Sequence, residues 1–284
     1  MTWACAGGPG AATVDPLGPG VHDVELGVDR HGEARTARVI WPRGEVRGAL
    51  WIFHGGRNQG LDEMAQRWRD HRDRGWVLVF PQGQRQRPDE GAWFTPVGGT
   101  SPHVDPLLGL HDRLEASGVR THVATGFSSG AHMTWRLACE QSERFDAFVP
   151  VAHYLRTDVS ERCRPAELRP VLLIGMVDDP RAPYGGRDGP DGERHNLGAK
   201  ATLERMARVG GCSGGPEPTP VRGGEHQRWS GCGLEHLRLE RGGHRWPNRG
   251  ADVVIDFAER AASSGALTPT DRPGRRPTPA PTPP

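Results

Sequence analysis

The 284-residue chain carries 36 Lys and Arg residues against 35 Asp and Glu residues, so its formal net charge is +1 at pH 7. This balance gives no electrostatic reason to expect a nucleic-acid or anionic-membrane partner. Apolar residues make up 35% of the chain, which is enough for a core although 40 Gly and 26 Pro dilute it. No apolar run approaches the roughly 18 residues of a membrane-spanning helix, so we expect no transmembrane segment.

Both ends of the chain have the composition of unstructured segments. Residues 1–20 are rich in Gly, Ala and Pro without periodicity, and residues 264–284 form a Pro/Thr-rich tail. Neither segment contains the apolar pattern that a packed core requires, so we expect both to be disordered. A single domain is therefore predicted over residues 21–263.

Within that domain, strand-like and helix-like patterns alternate. The predicted strands are 23–28, 35–41, 49–53, 76–80, 122–125, 145–151, 171–176 and 236–240. The predicted helices are 61–72, 105–116, 129–140, 197–209 and 250–262. Two strands followed by strand–helix units predict an α/β fold with a mostly parallel central sheet, helices on both faces and an antiparallel N-terminal start.

The most informative motif is Gly126-Phe127-Ser128-Ser129-Gly130, which has the pattern Gly-x-Ser-x-Gly. It lies between a predicted strand and a predicted helix, and this is the context of a nucleophile elbow. A second match, residues 211–215, leads into a Pro-rich stretch instead of a helix, so we interpret Ser213 as a loop serine. Ser128 is the candidate nucleophile.

A serine hydroxyl needs a base to take its proton and a carboxylate to orient that base. In the α/β-hydrolase order the acid and then the histidine follow the serine along the chain. Asp178 and Asp179 come just after the predicted strand 171–176, and His244 follows the last predicted strand. Both loops leave carboxyl ends of strands, where open α/β sheets place their sites.

An oxyanion hole would complete this set. The buried-strand run 50–53 ends in His54-Gly55-Gly56, where glycines let the backbone turn its N–H groups toward a developing negative charge. We predict that the backbone N–H groups of Gly56 and Ser129 are the two donors. His54 precedes the serine in the chain and is interpreted as a structural support of this loop.

The chain resembles the polyhydroxybutyrate depolymerase and feruloyl esterase family of α/β-hydrolases, including LpqC-like lipoproteins, over about residues 33–262. The residues that carry the resemblance are His54-Gly55-Gly56, Gly126–Gly130, residues 135–140, Pro150-Val151-Ala152, Asp179-Pro180, Pro183-Tyr184 and residues 242–247. The family's His-Gly-Thr-x-Asp-Pro is replaced here by residues 175–180. A gap-free match places the acid at Asp179, whereas counting from Gly175 selects Asp178.

The resemblance also implies disulfides between Cys139 and Cys163 and between Cys212 and Cys232. The alternative is four reduced cysteines in a cytosolic enzyme. The resemblance also points to an oxidising compartment, and so to a secreted or cell-envelope protein, which conflicts with an N-terminus that lacks a signal-peptide pattern. If the protein is exported and most of its leader is absent from this sequence, Cys5 is a candidate lipoprotein cysteine.

The predicted activity is hydrolysis of a carboxylic ester, either of a polyhydroxyalkanoate-type polyester or oligomer or of a feruloyl or acetyl polysaccharide ester. Trp93 and Trp246 are predicted to line an apolar substrate cleft, with Trp229, interpreted as a loop residue, as a weaker candidate. No cofactor motif or zinc spacing is visible, so neither is expected. A catalytically silent binding protein and an acyltransferase are the alternatives; the oligomeric state is left open.

Overall fold

The computed structural model describes residues 15–28, 32–56, 61–83, 93, 103–165, 167–190 and 192–263. Cys5, the rest of residues 1–14 and the predicted tail 264–284 lie outside the described residues. Residues 15–20 belong to the described part: Leu17 packs against the core, and its N–H donates to the Ser117 hydroxyl at 2.6 Å.

The chain forms twelve strands and six helices over its described residues. The strands are β1 Val21–Val28, β2 Ala34–Ile40, β3 Gly48–Phe53, β4 Trp76–Pro81, β5 His122–Phe127, β6 Ala147–Val151, β7 Val171–Met176, β8 Arg187–Asp188, β9 Arg194–Asn196, β10 Pro216–Val221, β11 Gly224–Trp229 and β12 Leu234–Leu239. The helices are α1 Leu61–Arg67, α2 Val104–Ala116, α3 Ser129–Glu140, α4 Thr157–Arg162, α5 Ala199–Val209 and α6 Gly250–Ser263. A short 3₁₀ turn, Arg69–His71, follows α1.

Ten of the strands form one sheet in the order β1-β2-β4-β3-β5-β6-β7-β12-β11-β10. The neighbours from β4 to β12 pair in parallel, and β1 and β2 join the β4 edge in antiparallel orientation. The predicted α/β-hydrolase architecture, with its antiparallel N-terminal start, is confirmed. The carboxyl ends of β3, β5, β7 and β12 all meet at one edge, so the loops that follow them converge there.

The two faces of the sheet are covered by different helices. Alternate side chains of β3 point to opposite faces, so Trp51 and Phe53 belong to one core and Leu50 and Ile52 to the other. Helices α2 to α5 cover the first core, and α1 and α6 cover the second. Strands buried on both faces explain why the parallel part of the sheet reads as continuous apolar runs in the sequence.

The sequence prediction did not include the helix Thr157–Arg162, the short strands Arg187–Asp188 and Arg194–Asn196, or a hairpin over residues 216–229. Residues 216–229, expected to be loop, form the antiparallel hairpin β10–β11, so Trp229 lies at the end of a strand. Pro216, Pro218 and Pro220 alternate along β10, which is an exposed strand at one of the two edges of the sheet. Proline lacks the N–H that pairs in a ladder, and an edge strand tolerates it where that N–H would face solvent. The alternating prolines therefore also prevent β10 from pairing with a further strand.

Two disulfides tie helices to the loops beside them, and both are the predicted pairs. Cys139 at the end of α3 is bonded to Cys163 just after α4, and Cys212 after α5 is bonded to Cys232 before β12. None of the helices in the described part of the chain has the length and apolar character needed to cross a bilayer.

Candidate active site

Ser128 occupies a sharp turn between β5 and α3. Its backbone φ is 54°, a region that residues with a side chain rarely adopt. The turn is held by two hydrogen bonds, from the Ser128 N–H to the Val151 carbonyl and from the His132 N–H to the Ser128 carbonyl. A Cβ atom on Gly126 would lie 2.3 Å from the Gly130 backbone, and one on Gly130 would lie 2.2 Å from the Phe53 carbonyl oxygen. The two glycines are thus required for the close packing of this elbow.

The structure brings Ser128, His244 and Asp179 into one hydrogen-bonded chain. His244 Nε2 lies 2.8 Å from Ser128 Oγ, and His244 Nδ1 lies 2.8 Å from Asp179 Oδ2. The Asp179 carboxylate accepts a hydrogen bond from the Nδ1–H group, which keeps the proton on Nδ1 and leaves Nε2 of the neutral ring unprotonated and facing the serine hydroxyl. This is the arrangement in which a histidine can accept the proton of a nucleophilic serine.

Asp178 and Asp179 have separate partners. Asp179 is 4% exposed, and its Oδ1 accepts the N–H groups of Arg181 and Ala182 at 2.8 and 2.9 Å. Burial alone raises the pKa of Asp179, but the hydrogen bonds from His244, Ala182 and Arg181 outweigh burial and leave that pKa below its ordinary value. Asp178 instead accepts the N–H of Gly243 at 2.8 Å. The geometry therefore favours the gap-free register, with Asp179 facing the histidine.

The loop after β3 is supported by His54, as the sequence predicted. His54 Nδ1 donates to the Gly55 carbonyl at 2.7 Å, and His54 Nε2 accepts the N–H of Gly83 at 2.9 Å. Burial lowers the pKa of His54 to about 4, so the ring stays neutral and both bonds persist near neutral pH. A Cβ atom on Gly56 would lie 4.0 Å from Ser129 Cβ, so the two predicted oxyanion donors come from adjacent pieces of backbone. Ser129 is the first residue of α3, where backbone N–H groups lack helical partners.

Trp93 does not line a substrate cleft, which corrects the prediction from sequence. Its side chain is completely buried, packs edge-on against Phe53 with ring centroids 5.1 Å apart, and donates from Nε1 to the His54 carbonyl at 2.9 Å. Its backbone N–H donates to Ser129 Oγ at 3.2 Å. Through these two hydrogen bonds, the buried Trp93 connects the loop after β3 to the start of α3.

Trp246, by contrast, lines an open cleft of about 570 Å³ beside His244. Its ring lies 5.9 Å from that of Trp68 and 6.1 Å from that of Phe127, both edge-on, and Phe127 lies 4.9 Å from the His244 ring. Sequence reasoning missed Phe127 and Trp68 as cleft residues. Phe127 directly precedes Ser128, and that position was the signal available for it.

One group of potential metal ligands lies at the other end of the sheet, and no residue spacing in the sequence predicted it. Nitrogen and oxygen atoms of His111, Glu115 and His122 lie within 4.8 Å of one another. His111 Nε2 donates to the Arg144 carbonyl and His111 Nδ1 accepts from the Arg144 guanidinium, so neither nitrogen offers a free lone pair. The rings of His111 and His122 also stack 3.9 Å apart, which prevents both from pointing at one ion. We therefore interpret His111 and His122 as a pair of packed histidines and not as metal ligands.

The chain matches no protein-family model and no curated protein. It is similar in structure to several solved proteins at low sequence identity. The acetyl xylan esterase from Aspergillus awamori has a TM-score of 0.60 at 15% identity, over 84% of this chain and 99% of that one. Thermogutta terrifontis esterase 2 phosphorylated by paraoxon has a TM-score of 0.58 at 14% identity, over 89% and 97%. Esterase PE8 has a TM-score of 0.53 at 17% identity, over 80% and 99%.

These likenesses, together with the strand order, identify the fold as that of the α/β-hydrolases. Within it, a serine on a strained strand–helix turn faces a histidine that a buried carboxylate orients.

Proposed function

We propose that the chain is a serine esterase that hydrolyses carboxylic esters through an acyl-enzyme on Ser128. The observation that carries the proposal is the continuous hydrogen-bonded chain from Ser128 Oγ through His244 to the buried Asp179. Esterases among the solved structures of the same fold support this reaction class.

In the first step, Ser128 Oγ attacks the carbonyl carbon of the ester while His244 Nε2 takes the hydroxyl proton. Asp179 keeps Nδ1 protonated and stabilises the imidazolium that forms. The backbone N–H groups of Gly56 and Ser129 bind the oxyanion of the tetrahedral intermediate. His244 then gives its proton to the departing alkoxide, so that the alcohol leaves and the acyl group stays on Ser128.

In the second step, water attacks the acyl-enzyme and His244 Nε2 takes a proton from it. A second tetrahedral intermediate collapses, the carboxylic acid leaves, and the proton on Nε2 returns to Ser128 Oγ. Bulk solvent reaches this position because the His244 side chain is 13% exposed. Over the two steps one water cleaves one ester bond.

For the substrate, we infer an ester with an apolar or aromatic part that rests in the cleft beside Trp246. A polyhydroxyalkanoate-type polyester or oligomer and a feruloyl ester of a polysaccharide have this character, whereas an acetyl ester of a polysaccharide offers the cleft only a methyl group. The two disulfides are typical of oxidising compartments, so we infer a secreted or cell-envelope location.

The decisive experiment labels the protein with a fluorophosphonate probe, which reacts covalently with activated serines. We expect stoichiometric labelling that maps to Ser128 and disappears in Ser128→Ala. No labelling of a correctly folded protein would support a catalytically silent binding protein instead. Hydrolysis of short p-nitrophenyl esters, methyl ferulate and a polyhydroxybutyrate emulsion, measured side by side, then separates the substrate classes. An added alcohol acceptor tests for acyl transfer.

A further inference from the structure

The cleft beside His244 has a strong charge bias that the proposed ester chemistry does not require. Arg67, Arg245 and Arg249 line it, and no carboxylate among the described residues does. The chain as a whole has nearly equal numbers of basic and acidic residues, so this bias is local. A cleft lined by one sign of charge over apolar walls raises the local concentration of ligands of the opposite sign.

Arg245 is the arginine best placed to act on a bound ester. It directly follows His244, and its Nε donates to the Gly242 carbonyl at 2.7 Å, which fixes the side chain near the loop. Arg245 is exposed and forms no ion pair with a carboxylate of the described ranges, so its two Nη groups are available to a ligand. A guanidinium held in this way can bind a carboxylate through two parallel hydrogen bonds.

The other two arginines are partly neutralised. Arg67 pairs with Glu63 at 2.9 Å, and Arg249 pairs with Asp252 at 3.1 Å. Neither acidic partner lines the cleft. Each of these two arginines therefore adds only a weaker positive field, because the carboxylate beside it offsets part of its charge.

Two aromatic side chains, Phe127 and Trp246, form an aromatic wall of the cleft that Arg245 also lines. Phe127 and Trp246 both contact the cleft, with the Phe127 ring 4.9 Å from the His244 ring. An ester whose apolar part rests on this wall and whose anionic group reaches Arg245 would satisfy the apolar and the charged lining together.

We propose that the natural substrate is an ester that carries a carboxylate, and that Arg245 is the residue that selects for it. This inference rests on the proposed function and narrows it to anionic esters. The carboxylate belongs to the part of the ester, acyl or alcohol, that occupies the cleft.

Two matched substrate pairs test the proposal and locate the charge. Mono-4-nitrophenyl adipate is compared with the 4-nitrophenyl ester of its monoamide, which places the charge on the acyl part. 4-Acetoxybenzoate is compared with 4-acetoxybenzamide, which places it on the alcohol part. We expect kcat/KM for the anionic member of at least one pair to exceed that of its amide about tenfold at low salt. The ratio should fall toward one in about 0.5 M NaCl, where charges are screened within a few ångströms.

Variants then assign the selectivity to one residue. In Arg245→Gln the ratio should fall about tenfold, whereas Arg245→Lys should keep part of it because the charge remains. Arg241→Gln is the matched control, since Arg241 is exposed in the same loop but does not line the cleft. Its ratio should equal that of the unaltered protein.

The possible failures are distinguishable. If neutral esters are hydrolysed in a Ser128-dependent way with a ratio near one in both pairs, the selectivity proposal is wrong and the esterase proposal stands. An equal loss of the ratio in Arg245→Gln and Arg241→Gln would overturn the assignment to Arg245. If no ester is hydrolysed and Ser128 is not labelled, the proposed function fails and this inference fails with it.

Discussion

Asp178 holds the backbone N–H of Gly243 at 2.8 Å, one residue before the histidine that its neighbour Asp179 orients. The two adjacent carboxylates thus have different roles at the same site. Asp178 fixes the loop that carries His244, and Asp179 fixes the ring itself. The two roles have different chemical requirements, which makes them separable by substitution.

Asp179→Asn should reduce kcat about 10⁴-fold, because an amide in place of the carboxylate favours the wrong histidine tautomer. Asp178→Asn should have little effect, because its amide oxygen can still accept the Gly243 N–H. Steady-state kinetics on a p-nitrophenyl ester, with circular dichroism to verify folding, measures both. If Asp178→Asn causes the larger loss of kcat, the assignment of Asp179 as the catalytic acid is wrong.

The pattern around Ser128 was predictable because it is local. The turn requires glycines at fixed offsets from the serine, and the helix Ser129–Glu140 has the same bounds in the sequence prediction and in the structure. The strand Val171–Met176 is likewise the same in both. The choice between Asp178 and Asp179 was beyond the local pattern, since both follow the same strand and only the position of the His244 loop separates them.

Two other predictions failed for identifiable physical reasons. Trp93 lies between residues with turn-like composition, so its burial depends on packing against Phe53 and His54, which are far away in sequence. The strand Pro216–Val221 contains three prolines, and proline normally argues against a strand. Only its place at the edge of the sheet, which the local sequence does not encode, makes those prolines acceptable.

Ser128→Ala should lower kcat about 10⁶-fold, as loss of a triad serine does, without changing the fold. Ser213→Ala is the matched control, because Ser213 also lies in a Gly-x-Ser-x-Gly pattern. The Ser213 N–H and hydroxyl bond only to the Ser230 carbonyl in the described structure. Ester hydrolysis and probe labelling measure both variants. Full activity in Ser128→Ala would remove the basis of the proposed mechanism.

The protein should lose stability as the pH falls from about 6.5 toward 4. Burial lowers the pKa of His54 and His153 to about 4 and that of His236 to about 3, and it also depresses the pKa of His132. These histidines stay neutral in the folded state, whereas unfolded histidines take up protons below about 6.5. The unfolded state therefore binds more protons in this window, and each group reduces the free energy of unfolding by up to about 1.4 kcal/mol per pH unit.

Urea denaturation at pH 7.5, 6.5, 5.5 and 4.5 measures this dependence. His236→Gln should make the fall in stability shallower, because one buried titrating group is gone. His195→Gln, a substitution of an exposed histidine, is the control and should leave the slope as it is in the unaltered protein. A flat stability profile between pH 6.5 and 4.5 would mean that the buried histidines are not kept neutral. The depressed pKa of Asp179 adds a separate loss as the pH falls through about 3.8, where half of the Asp179 carboxylates are protonated in the unfolded state but fewer in the folded state.

Removing a disulfide should lower stability without a direct effect on the chemistry. The bonds close loops of 24 and 20 residues, each worth about 3 kcal/mol when unstrained. The double substitutions Cys139→Ser/Cys163→Ser and Cys212→Ser/Cys232→Ser should each shift the urea midpoint downward while kcat at 25 °C stays within about twofold. Non-reducing peptide mapping should show both linkages. Free thiols at these four positions in protein from an oxidising compartment would contradict them.

Trp246 lies two residues after the base and forms one wall of the cleft with Phe127 and Trp68. If a bulky substrate rests on this wall, Trp246→Ala removes apolar contact worth roughly 1–3 kcal/mol from that substrate alone. The ratio of kcat/KM for a bulky aromatic ester to that for p-nitrophenyl acetate should then fall about 10- to 100-fold. Trp246→Phe, which keeps an aromatic face, should recover most of the ratio. Trp229→Ala, in the hairpin Pro216–Trp229 away from the cleft, should leave it unchanged. Equal losses on both esters would mean that Trp246, which packs over Gly250 at the start of the last helix, only holds the His244 loop in place.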